Sequence, residues 1–156
     1  MRTISFRTEL GINKGFDSEK NHIHSVTITE LCELLQQLQN EVENETGIYV
    51  STVVSGPNRS VYRKEWGCPD GGEVTYTIHA VSDSRLQMKS EQWEGLDWKK
   101  AALTLAEKIR SYYEQEYLTV EFVDSYGFSS FILNPDNDIL KNLKELESEE
   151  MHDIGE

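Results

Sequence analysis

From Ile28 to Val42 the apolar residues return at every third or fourth position: Ile28, Leu31, Leu35, Leu38 and Val42, with Leu34 beside them. That spacing lies on one stripe only in an α-helix, so the stretch must lay an apolar face against another element. Thr27 and Glu30 have capping-box spacing ahead of it, with Thr29 a competing cap. Gly47 is a natural stop. A helix over residues 27–47 therefore needs a partner surface.

Strands supply it. Residues 2–9 alternate, with Ile4 and Phe6 on one side and Thr3, Ser5 and Arg7 on the other. Residues 48–54 are rich in β-branched side chains, residues 55–59 (Ser-Gly-Pro-Asn-Arg) read as a turn, and residues 60–66 as the returning strand. After a second turn over residues 67–72, Val74, Tyr76, Ile78 and Ala80 share one parity and Thr75, Thr77 and His79 the other. Three strands at this spacing predict an antiparallel meander. Asp97 opens a second amphipathic helix reaching about Gln115, with Trp98, Ala101, Ala102, Leu105, Ile109 and one of Tyr112 or Tyr113 on its buried side. Residues 117–124 and 128–133 predict a hairpin. Asp136 or Asp138 caps a short last helix carrying Ile139, Leu140, Leu143 and Leu146. Residues 10–26 and 82–96 read as loops.

The order β-α-β-β-β-α-β-β-α predicts an α+β fold. A mostly antiparallel sheet of about five to six strands is covered by two long amphipathic helices, as a ferredoxin-like core with added strands and a short C-terminal helix. Residues 1–147 form a single domain in this reading, and residues 148–156 an acidic tail that frays. The uncovered sheet face is either solvated or an interaction surface.

Charge narrows the partners. Fifteen Lys and Arg against twenty-eight Asp and Glu give a net charge of -13, which argues against direct nucleic-acid binding and against an anionic membrane surface. Apolar runs stop far short of the roughly twenty residues of a membrane span. A cytoplasmic protein is expected, with Cys32 and Cys68 as free thiols. The first helix carries Glu30, Glu33, Glu41, Glu43 and Glu45 and no base.

Chemistry-bearing motifs are sparse. His22 and His24 share a side of any extended segment, but two ligands do not make a zinc site, and no metal is expected. The segment Gly67-Cys68-Pro69-Asp70-Gly71-Gly72 is glycine rich but lacks the phosphate-loop pattern. No cofactor is expected. Cys68 and His79 are eleven residues apart and meet only if the turn folds back. Arg59, Arg63 and Lys64 cluster with Tyr62 and Trp66 as a candidate anion or partner patch.

These features favour a non-enzymatic acidic binding protein that captures a basic protein surface: an inhibitor or immunity-like protein, or a mobile-element accessory. Glu33, Glu41, Glu43 and Glu45 would steer the partner, and Trp66, Trp93 and Tyr113 would anchor it. Self-association as a homodimeric structural domain is one alternative. The other is a small hydrolase or isomerase using His79, Cys68, Tyr62 and Glu73.

Overall fold

The Oγ1 of Thr27 accepts the amide of Glu30 at 3.1 Å, so the first helix starts where the capping spacing places it. It ends at Gly47, whose φ of 81° lets its amide turn back onto the Glu43 carbonyl at 2.8 Å. The computed structural model describes residues 3–12, 26–82, 95–124, 127–136 and 139–154, with side chains up to Ser148. His22, His24 and Trp93 lie outside the described residues.

The elements run β1 (Ser5–Gly11), α1 (Ile28–Thr46), β2 (Val53–Ser60), a 3-10 turn (Lys64–Trp66), β3 (Glu73–Val81), α2 (Gly95–Tyr112), β4 (Leu118–Asp124), β5 (Gly127–Leu133) and α3 (Ile139–Ile154). The five strands stand in the order β2-β3-β1-β4-β5, every neighbour antiparallel. The first four, with α1 and α2 as crossovers, make the ferredoxin-like core. β5 extends it as a hairpin on β4.

One face of the sheet is the core. Phe6, Leu10, Ile78, Val120 and Phe122 meet Leu31, Leu35 and Val42 of α1 and Trp98, Leu105 and Ile109 of α2, all at most 1% exposed. Each such large apolar side chain contributes about 1.5–3 kcal/mol on burial. Ala101, Ala102 and Ala106 are also fully buried, so α2 can approach its neighbours closely. Lys99 of α2 reaches Asp124 at the end of β4, a 2.9 Å ion pair with both side chains about 95% buried.

One expected strand is not there. Residues 55–59 do not turn the chain; they belong to β2, which stays paired with β3 through a register shift between Ser55 and Asn58. Gly56, at φ 136°, absorbs the irregularity, and a Cβ there would lie 2.9 Å from the Tyr76 ring. Of residues 60–66, expected as a returning strand, Ser60 closes β2 opposite Glu73, and residues 61–66 leave the sheet and turn through Lys64–Trp66. The meander is a two-stranded ribbon, and Tyr62 is freed from the ladder to lie over its end.

The other face of the sheet is polar at its centre. Arg7 sits between His79 on β3 and Glu121 on β4, and Glu9 lies beside Thr77.

Candidate active site

At one end of that polar face, the last residues of β1, the first of β3 and the turn before β4 converge on a cleft of about 160 Å³. Its walls are Glu9, Gly11, Ser60, Glu73, Thr75, Gln115, Glu116 and Tyr117. Larger grooves lie beside α1, about 480 Å³ along β2 and about 470 Å³ against α2. Their charged groups are a single carboxylate, Glu33, in the first and Glu41, Glu107 and Lys108 in the second. Convergent polar groups mark a site better than volume does, and the small cleft gathers the carboxylates Glu9, Glu73 and Glu116 with Ser60, Thr75 and Gln115.

Glu73 is the centre of it. The Tyr62 hydroxyl donates to Glu73 Oε2 at 3.1 Å. Burial pushes the Glu73 carboxyl above the usual carboxylate range, and the Tyr62 bond only partly offsets this. Burial and the neighbouring Glu73 charge push the Tyr62 phenol up to about 12. At neutral pH Tyr62 is therefore a fixed neutral donor.

Two glycines make room. A Cβ on Gly11 would stand 2.6 Å from Glu73 Oε1 and 3.1 Å from Gln115 Oε1. Gly72, at φ 91°, lies so close to the Ser60 carbonyl that a Cβ would meet it at 3.0 Å. Cys68 then secures Tyr62: its Sγ accepts the Tyr62 amide at 3.4 Å and lies 3.4 Å from the Pro69 carbonyl. The thiol is 7% exposed.

Glu9 forms the opposite wall. Its Oε1 accepts from Thr75 at 2.6 Å and Asn58 at 3.1 Å, and its Oε2 from Thr77 at 2.6 Å. Burial raises its pKa, but the three donors and the Arg7 charge together outweigh that, so it lies below the usual range. The third wall is held from α2. The Arg110 guanidinium donates to the Gln115 carbonyl at 3.0 Å, and Gln115 returns its amide to the Arg110 carbonyl at 3.0 Å.

The structure thus brings together Tyr62, Cys68 and Glu73 but not His79. His79 lies six residues along β3 from Glu73, about 20 Å at strand rise, and its Nε2 is 3.2 Å from the Ser5 hydroxyl. The candidate anion patch is largely engaged with its own loop: Lys64 pairs with Asp70 at 2.7 Å and Arg63 lies over the Trp66 ring, while Arg59 is exposed. Glu41 and Glu45 face Lys108 at 3.8 and 2.7 Å. Glu33 and Glu43 are exposed, Trp66 is 62% exposed, and Tyr113 is half-buried edge-on to Tyr112. Among the described residues no three metal-ligating side chains cluster, and no helix is long and apolar enough to cross a membrane. Sequence reasoning missed Glu9, Gly11, Gln115, Glu116 and Tyr117. The available signal was that Glu9 shares the parity of Arg7, an acid on the open side of a strand ending in glycine.

The family model described as SAM lyase matches residues 1–128. The chain belongs to the SAM lyase family. Among solved structures it is similar to a phage SAM lyase in complex with S-methyl-5′-thioadenosine, at 18% identity and a TM-score of 0.56, covering 86% of this chain and 91% of that one. A phage SAM lyase in the apo state gives 18% identity and a TM-score of 0.53, covering 88% and 93%. These two likenesses support the fold. No curated protein matches in sequence.

Family membership overturns the expectation of a non-enzymatic acidic capture protein, inhibitor or immunity-like. The acidic surface of α1 that prompted it is partly neutralised within the fold by Lys108. The enzyme alternative is the better supported one.

Proposed function

We propose that the protein is a lyase acting on S-adenosylmethionine, and that the reacting end of the substrate sits in the cleft between Glu73 and Glu9. The observation that carries this is the Tyr62–Glu73 pair, half-buried and hydrogen-bonded at 3.1 Å, on a chain of the SAM lyase family. The ligand seen in the related phage enzyme is what remains when the bond between sulfur and Cγ of the methionyl chain is broken.

The reaction balances without water. The substrate's own carboxylate oxygen forms a bond to Cγ, the Cγ–S bond breaks, and its electron pair stays on sulfur. The products are neutral S-methyl-5′-thioadenosine and a homoserine lactone that keeps the ammonium. No proton, oxidant or second substrate is required. What a protein must supply is geometry and charge, because the nucleophile is already in the molecule.

The cleft offers both. Ionised Glu73 accepts from the substrate ammonium, and Tyr62 holds that carboxylate in place. Fixing the ammonium bends the carboxylate back over Cγ, a near-attack arrangement. The cleft is smaller than the roughly 300 Å³ at which sites for whole ligands begin. It suits the aminobutyryl end, with the nucleoside lying outward past Tyr117. A cytoplasmic location accords with this reading, since Cys32 and Cys68 are both unbridged.

The test is a cleavage assay on S-adenosylmethionine with three variants. Glu73→Gln and Tyr62→Phe should each lower kcat/KM, by roughly 100-fold for the first. His79→Ala should leave it unchanged. A His79-dependent, Glu73-independent activity would refute the reading.

A further inference from the structure

Glu9 is built differently from Glu73 although the two share one cleft. Its donors are two threonine hydroxyls and an asparagine amide, all neutral. Neutral donors hold a carboxylate in place without cancelling its charge. The nearby cation is Arg7, at 3.5 Å from Oε2; its side chain is 54% exposed and also faces Glu121 at 3.9 Å. Solvent and the second carboxylate weaken what Arg7 takes from Glu9. Glu116 is exposed at the rim, and Glu73 is raised by burial and tied to Tyr62. Glu9 is therefore the acid in the cleft whose ionised form three neutral donors and a nearby cation favour, against the effect of its burial.

Its lone pairs are mostly taken. A ligand group that must donate a hydrogen bond finds little room there. A sulfonium has no hydrogen to donate; it interacts through charge alone, and charge is what Glu9 retains.

We infer that Glu9 is the specificity residue that makes the cleft prefer a cationic sulfonium over the neutral thioether left after cleavage. This rests on the lyase reading above. Substrate is held partly by a charge pair, and that pair vanishes when the C–S bond breaks. The chemistry itself loosens the nucleoside product, with no movement of the protein required.

The test uses two ligands that cannot be cleaved to a lactone: S-methyl-5′-thioadenosine and its S-methylated sulfonium. They differ by one methyl group and one charge. Calorimetry on the whole protein should show wild type preferring the sulfonium by about tenfold or more, the order expected of one partly exposed charge pair. Glu9→Gln should erase most of that preference while changing affinity for the neutral ligand by less than about threefold. Arg7→Gln should move the preference the other way, and it keeps the test open should the Glu9 variant fold poorly. An unchanged preference in Glu9→Gln, with the neutral ligand still bound, overturns the inference and leaves the lyase reading standing. Failure of wild type to bind either ligand overturns both.

Discussion

Tyr62 and Glu73 are joined by a single 3.1 Å hydrogen bond across the point where the chain leaves β2 and re-enters at β3. The phenol is free to make it because residues 61–66 do not pair as a strand. A loop that abandons the sheet thus supplies the donor, and the first residue of the next strand supplies the acceptor.

Burial disfavours the ionised form of Glu73, and that has a pH signature. Its carboxyl is raised in the folded state, so its contribution to stability is full below the unfolded value near 4.3 and is lost as pH rises through the folded value. Glu73→Gln should therefore melt higher than wild type at pH 8, and the gap should close towards pH 4. Activity should move oppositely: wild-type kcat/KM should fall on acidification at a pH above that of an ordinary glutamate. Thermal melts and a pH–rate profile check both.

Glu9 carries the opposite sign. Its carboxyl is lowered on folding, so its contribution is present above the unfolded value and is lost as pH falls through the folded one. Glu9→Gln should melt below wild type at pH 7, with the difference shrinking in acid. The pair of variants, melted across pH 3–8, should give slopes of opposite sign.

Gly11→Ala places a methyl 2.6 Å from Glu73 Oε1. The obstacle is the far end of a side chain, and Gly11 has no left-handed φ, so the backbone tolerates the change. Stability should fall by about 1 kcal/mol or less. Activity should fall about tenfold or more, because displacement of a positioning carboxylate by an ångström is costly. Urea melts and steady-state kinetics separate the two.

Cys68→Ala removes the acceptor of the Tyr62 amide in a buried spot. An orphaned amide costs about 1–3 kcal/mol, and the loop carrying Tyr62 loosens with it. Cys68→Ser, which can accept the same bond, should recover most of both stability and activity. Equal damage from the two substitutions would point to packing instead.

Lys99→Met removes the ammonium that pairs with the buried Asp124 carboxylate and lies over the Phe122 ring. Breaking a pair buried on both sides should cost about 3–5 kcal/mol, read in denaturant melts.

Much of the fold was legible because its determinants are local. The Thr27 cap, the stripe from Leu31 to Val42 and the alternation of Val74 to Ala80 each specify an element from its own residues. The β2–β3 ribbon was misread because Gly56-Pro57-Asn58 carries a strong turn signal, while its pairing with β3 depends on Tyr76 and Thr75 packing against that glycine. Tyr62 and Glu73 were visible as candidates near the loops. Their pairing was not, since it depends on Val61 to Trp66 leaving the ladder. His79 misled because a histidine on a polar parity looks reactive wherever it lies along the strand. Glu9 and Gln115 come from segments more than a hundred residues apart, brought together only by the β1–β4 pairing, and nothing local announces that.

The most direct test of the account is to let the protein act on S-adenosylmethionine in ¹⁸O-labelled water and follow the products by mass spectrometry. The account predicts S-methyl-5′-thioadenosine and a homoserine lactone free of label, with ¹⁸O entering only the carboxyl group as the lactone later opens. Label in the side-chain hydroxyl of homoserine would mean that water, not the substrate carboxylate, attacks Cγ, and would contradict it; so would the absence of any cleavage.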